Sequence, residues 1–175
     1  MATTAGRNVS RVDHQNYLTS ERAGLANFLD AQREGLIRKI GGLDDERARS
    51  APTASSLSLL GLVKHSATWE RRWFGVIMAG HSDPDGWPEV RTDPRDADLF
   101  VDDTDTVDRW VSSYREAIAE SNAIVQSRDL DSPCARDDII GCNVRYVLFH
   151  MIEETARHAG HADVIRETID GTKGF

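Results

Sequence analysis

Val147-Leu148-Phe149-His150-Met151-Ile152-Glu153-Glu154-Thr155-Ala156-Arg157-His158-Ala159-Gly160-His161-Ala162-Asp163 reads as the middle of one amphipathic helix with two residues out of place. Val147, Met151, Glu154, His158, His161 or Ala162, and Ile165 follow steps of 3 and 4, the spacing that keeps side chains on one helical face. With Val144, Leu148 and Ile169 as further core candidates, the helix is predicted from about Asn143 to Asp170, and Gly171 ends it. Glu154 and His158 fall where apolar residues belong. A buried carboxylate without a partner is strongly destabilising, so something must satisfy it. Residues four apart project one turn apart, and both can reach a single cation. A structural ion pair of Glu154 with Arg157 or Arg145, and His158 bonded to a neighbouring carbonyl, is the other solution. His150 lies one turn before Glu154, and His161 three residues after His158.

The same anomaly occurs upstream. In Leu59-Leu60-Gly61-Leu62-Val63-Lys64-His65-Ser66-Ala67-Thr68-Trp69, His65 sits on a stripe with Leu62, Trp69 and Val76. That helix is predicted from about Leu57 to Ala79, with Ser55 or Ser56 as N-cap and Gly80 just past its end. If it neighbours the last helix, His65 faces Glu154 and His158, which is how bundles build metal sites. Two more blocks have helical period. One runs from about Ser20 to Ile40, with Leu25, Phe28, Leu29, Gln32, Leu36 and Ile40 in step, and Gly41-Gly42 stops it. The other runs from about Thr106 to Ser127, with Val107, Trp110, Val111, Tyr114, Ile118 and Val125, and with Asp102, Asp103 and Asp105 suited to its positive end. Strand signals are nearly absent. The expected architecture is an all-α four-helix bundle with a long crossover, Gly80–Asp105, between the second and third helices. The connections Gly41–Ser56 and Leu130–Gly141 read as short. Trp87, in the crossover, is a candidate for covering a site, and Trp69, Trp73 and Phe74 for lining a pocket, a dimer face or the core.

Composition bounds the function. The chain has 175 residues, the size of one domain, with 39% hydrophobic residues and a formal charge of −8. That charge disfavours nucleic-acid partners, whose binding is driven by neutralising phosphates. No apolar run approaches membrane-spanning length, and Met1–Ser10 has no apolar signal core, so a cytoplasmic protein is expected, without membrane association. Residues 1–16 read as a flexible tail and 17–175 as the domain. Cys134 and Cys142 form no CxxC pair, and a reducing compartment keeps them as ordinary thiols. His14 and His81 read as solvated.

The sequence resembles the DinB-like superfamily over about residues 17–172. The likeness rests on Leu59–His65 with Trp69-Glu70-Arg71-Arg72-Trp73-Phe74, on Val147–Asp163, and on Glu21–Leu25 through Asp30–Arg33. Many members read His-x3-His where this chain has Glu154-x3-His158, and a Glu there also occurs in the related mycothiol-dependent maleylpyruvate isomerases. The resemblance implies a bundle holding a divalent metal through His65, Glu154 and His158, with zinc in the first place and nickel, iron or manganese as alternatives. Glu153, His150 and His161 do not match ligand positions, and His161 is kept as an outer or substrate-facing residue. The implied activity is a metal-dependent S-transferase that activates a low-molecular-weight thiol, mycothiol, against a small electrophile, in a homodimer. A metal-binding or metal-free module without catalysis and a metal-dependent hydrolase are the alternatives.

Overall fold

The computed structural model describes residues 20–82 and 97–174. Trp87, most of the crossover and the N-terminal tail therefore lie outside the described residues. Among the described residues there are five α-helices: α1 (Glu21–Ile40), α2 (Asp45–Arg49), α3 (Leu59–Glu70), α4 (Val107–Gln126) and α5 (Val144–Asp170). Each starts on a polar side chain that accepts an otherwise orphaned backbone N–H. These are Ser20, Asp44, Ser58, Thr106 and Asn143, bonded to the amides of Ala23, Arg47, Gly61, Arg109 and Tyr146. One expectation is corrected here: the N-cap of α3 is Ser58, not Ser55 or Ser56, because Ser58 reaches the third amide of the helix at 3.0 Å. The Gly41–Ser56 connection, read as short, also holds the short α2, which Asp44 caps.

The second helical block is continuous, but its winding changes. From Arg71 to Met78 it is π-helical. A π turn takes in one more residue than an α turn, so the α-helical stripe drifts around the axis. His65, Trp69 and Trp73 stay on one face, whereas Val76 joins Thr68, Arg71 and Gly75 along a separate groove. The predicted stripe through Val76 is thus corrected by the π segment. At the far end of the block, Ala135 and Arg136 donate backbone N–H bonds to the Met78 and Ile77 carbonyls.

Two apolar clusters fill the bundle. One joins Leu36, Ile37 and Ile40 of α1 with Leu59, Leu60, Leu62 and Val63 of α3, Tyr114 of α4, and Ala162 and Ile165 of α5. The other joins Leu25 and Leu29 with Phe74, Ile77 and Met78, and with Val144, Val147, Leu148 and Met151. The N-terminal halves of α1 and α5 therefore share one cluster, and their C-terminal halves the other, so these two helices run parallel. Arg145 to Glu21 at one end and Arg166 to the Lys39 carbonyl at the other say the same. By the same logic α3 and α4 are parallel to each other and opposed to α1. Parallel neighbours need a connection that returns along the bundle, which is why the α3–α4 crossover is long. Phe28, expected in the core, is 50% exposed, because Leu25 and Leu29 already occupy the inward positions of that turn. Among the described residues there is no strand, only an isolated antiparallel bridge, Pro133–Asn143.

Candidate metal centre

A polar layer separates the two apolar clusters. Arg33, Glu70, Ser121 and Thr155 are buried in it. Arg33 and Glu70 form an ion pair with both side chains almost wholly shielded. Arg33 also donates to Asp30 at 2.7 Å and Asn122 at 2.9 Å, and stacks 5.5 Å from the Phe74 ring. Burial pushes the Glu70 carboxyl above the ordinary carboxylate range, against the pull of Arg33. Sequence reading missed this pair; the signal available was an Arg and a Glu each in step with apolar neighbours.

Beside this layer, α3, the π segment and α5 border a cavity of about 280 Å³. It is lined by His65, Ser66, Trp69 and Trp73 from the α3 block and by His150, Met151, Glu154, Thr155 and His158 from α5. All three residues expected as ligands line it, as do Trp69 and Trp73. The His65 and His158 rings meet edge to face, with centroids 4.9 Å apart and an interplanar angle of 82°. His65 is buried at 7% exposure, and its ring lies 5.9 Å from Trp69. Glu154 divides its two oxygens. Oε1 accepts from Arg157 at 2.9 Å, and Oε2 faces His158 Nε2 at 3.9 Å. The Arg157 alternative for Glu154 is therefore realised, while Arg145 serves Glu21 and Asp131 instead.

The trio whose ligand atoms all lie within 4.8 Å of one another, among the described residues, is a different one: His150, Glu153 and Glu154. His150 sits against Trp73 with ring centroids 4.2 Å apart, and Arg157 spans both Glu153 and Glu154. His161 is exposed and does not line the cavity; the inward position of its turn belongs to Ala162. Asp105, expected to suit the positive end of α4, is in addition buried and accepts from Lys64 Nζ at 2.9 Å and Trp110 Nε1 at 2.6 Å.

The model of the mycothiol-S-transferase family matches residues 24–171. The chain belongs to that family. The match covers α1 through α5 and therefore the whole cavity wall, so a mycothiol S-transferase-like function goes with this family member. No curated protein matches it. A solved structure, a conserved protein from Enterococcus faecalis, is similar over 87% of this chain and 99% of that one, with TM-score 0.61 and 16% identity. At that identity the likeness supports the all-α fold alone. No helix of the family member, among the described residues, is long and apolar enough to cross a membrane.

Proposed function

We propose that this chain is a divalent-metal-dependent S-transferase that joins the sulfur of mycothiol to an electrophilic small molecule, with His65, Glu154 and His158 as the metal ligands. The observation that carries the reading is the common wall: two imidazoles and one carboxylate, from two helices, border one cavity in a chain of this family. The donor set fits a borderline cation such as zinc, and three protein donors leave room for a substrate. When bound there, such a cation lowers the pKa of a thiol that reaches it, which supplies a nucleophile at neutral pH.

The protein's own residues do the rest. Arg157 fixes one oxygen of Glu154 and so sets the direction of the other, toward His158. Trp69 and Trp73 give the cavity apolar walls that exclude water and suit the hydrophobic body of an electrophile. Arg72 lies 5.1 Å from the Trp69 ring, which holds that wall in place. The proposal carries with it a cytosolic homodimer built on one domain over residues 17–175. Phe28, 50% exposed on α1, and Phe149, 56% exposed on the adjoining α5, support a subunit contact there.

The test is metal content together with conjugation of mycothiol, glutathione or cysteine to a chlorodinitrobenzene electrophile. Untagged protein should carry stoichiometric metal and consume mycothiol only when loaded. His65→Ala and His158→Ala should lose both properties, while His150→Ala keeps its metal. Metal retained in His65→Ala but lost in His150→Ala would reassign the ligands to the α5 trio. Metal-loaded protein that conjugates no thiol would leave a binding module.

A further inference from the structure

We propose that Cys134 and Cys142 form a reactive dithiol that reduces a low-molecular-weight disulfide and closes into an intramolecular disulfide. The backbone sets them face to face. Pro133 and Asn143 form an antiparallel bridge, flanked by Cys134 N–H donating to the Cys142 carbonyl at 3.0 Å and Val144 N–H to the Ser132 carbonyl at 3.1 Å. That register puts Cys134 directly opposite Cys142. Directly opposed residues in an antiparallel pair have Cα atoms about 4.5–5.5 Å apart, inside the span a disulfide bridges. The arrangement is held from both sides, since Ala135 and Arg136 are tied to the end of the π segment and Asn143 begins α5.

The two sulfurs have different surroundings, which assigns their order of reaction. Cys134 is buried among Met78, Val144 and Val147, and burial pushes its thiol up to about 12. Both cysteines border an open groove with Asp131, Asn143 and Tyr146, but Cys142 is the more exposed of the two, half-buried where Cys134 is buried. Cys142 is therefore the entering nucleophile. Its sulfur attacks one sulfur of RSSR, the S–S bond breaks, and RS⁻ leaves and is protonated to RSH. The Cys134 sulfur then attacks Cys142 Sγ in the mixed disulfide, and the second RSH departs with the Cys134 proton. The protein loses two hydrogens and two electrons, and RSSR gains them. The chemistry is independent of the metal centre.

The experiment uses the full-length chain, reduced and freed of reductant, then exposed to glutathione disulfide. Intact mass and alkylation by iodoacetamide under denaturing conditions are the readouts. Wild type should lose the mass of two hydrogens, become refractory to alkylation at both cysteines, stay uncrosslinked between chains, and return to the starting state with dithiothreitol. Cys134→Ser should stall with one glutathionyl group on Cys142, and Cys142→Ser should acquire none. Wild type that remains alkylatable at both positions, keeps a stable glutathionyl group, or crosslinks between chains would overturn the proposal. Since Cys134 is buried, the wild-type masses and Cys142→Ser decide the matter if Cys134→Ser does not fold.

Discussion

The imidazoles of His65 and His158 come from helices 93 positions apart in sequence and meet edge to face, with ring centroids 4.9 Å apart at the cavity wall. Two imidazoles at that separation, with the Glu154 carboxylate one turn from His158, give a cation something to bridge between α3 and α5. Such a bridge binds the folded state only, so it stabilises by mass action. At a hundredfold excess of metal over Kd the gain is about 2.7 kcal/mol. Added Zn²⁺ should therefore raise the melting temperature of metal-stripped wild type. His65→Ala and His158→Ala should show no such rise. An equal rise in all three proteins, followed by calorimetry or circular dichroism, would place the cation elsewhere.

Much of this was legible in the sequence, and the reasons differ by residue. The four long helical blocks announce themselves through 3- and 4-residue spacing, and Asn143 and Gly171 mark α5 at both ends. His65, Glu154 and His158 stood out because each interrupts an apolar stripe, and the cavity brings them to one wall. Partnerships across the bundle were hidden. Arg33 finds Glu70 thirty-seven positions away, and Cys134 meets Cys142 through a loop register that no local pattern encodes. The π segment was also invisible, since nothing in Arg71–Met78 forbids ordinary α winding, and with it went the true position of Val76.

Gly61 is a point of close approach between the crossover and α3. A methyl group there would overlap the Leu99 carbonyl, and backbone cannot step aside as a flexible side chain can. Gly61→Ala should destabilise the protein by about 1–3 kcal/mol, the usual range for overpacking. Gly24 and Gly160 are helical positions with nothing near the added group, so Gly24→Ala and Gly160→Ala should each stabilise by about 0.4–1 kcal/mol. Urea unfolding of the three variants checks the contrast; equal effects would mean that Leu99 does not rest on α3.

Asp105 ties the start of α4 to α3. Burial alone would raise its pKa, but hydrogen bonds from Trp110, Lys64 and the Asp102 amide outweigh burial and hold the carboxyl below its usual range. A folded-state pKa depressed below the unfolded value contributes stability that is present above the unfolded pKa of about 3.9 and lost as pH falls through the folded one. Asp105→Asn should thus be less stable than wild type at neutral pH, by about 1.5–3 kcal/mol for hydrogen bonds to a charged group. The gap should narrow as both proteins are acidified below about pH 4. A gap independent of pH in urea melts would mean the carboxylate's charge is not what binds Lys64 and Trp110.

The Arg33–Glu70 pair sits at the point where α winding gives way to π winding, since Glu70 is the last residue of α3 and Arg71 the first of the π segment. Desolvation makes such a pair a weak source of net stability, yet removing one partner strands the other charge. Arg33→Met should therefore cost about 3–5 kcal/mol, whereas Arg33→Met with Glu70→Leu should recover most of the loss. The pH response has a definite sign. Glu70 already has its pKa raised by burial, and without Arg33 it rises further, so the folded state of Arg33→Met takes up a proton more readily than the unfolded chain. Its deficit against wild type should shrink as pH falls and grow as pH rises, unlike the deficit of a variant that only opens a cavity, which is flat with pH. Paired unfolding curves for wild type, single and double variants across pH separate the two. A flat deficit would reduce the pair to packing, and a double variant no better than the single would mean that Arg33 acts through Asp30 and Asn122 rather than through Glu70.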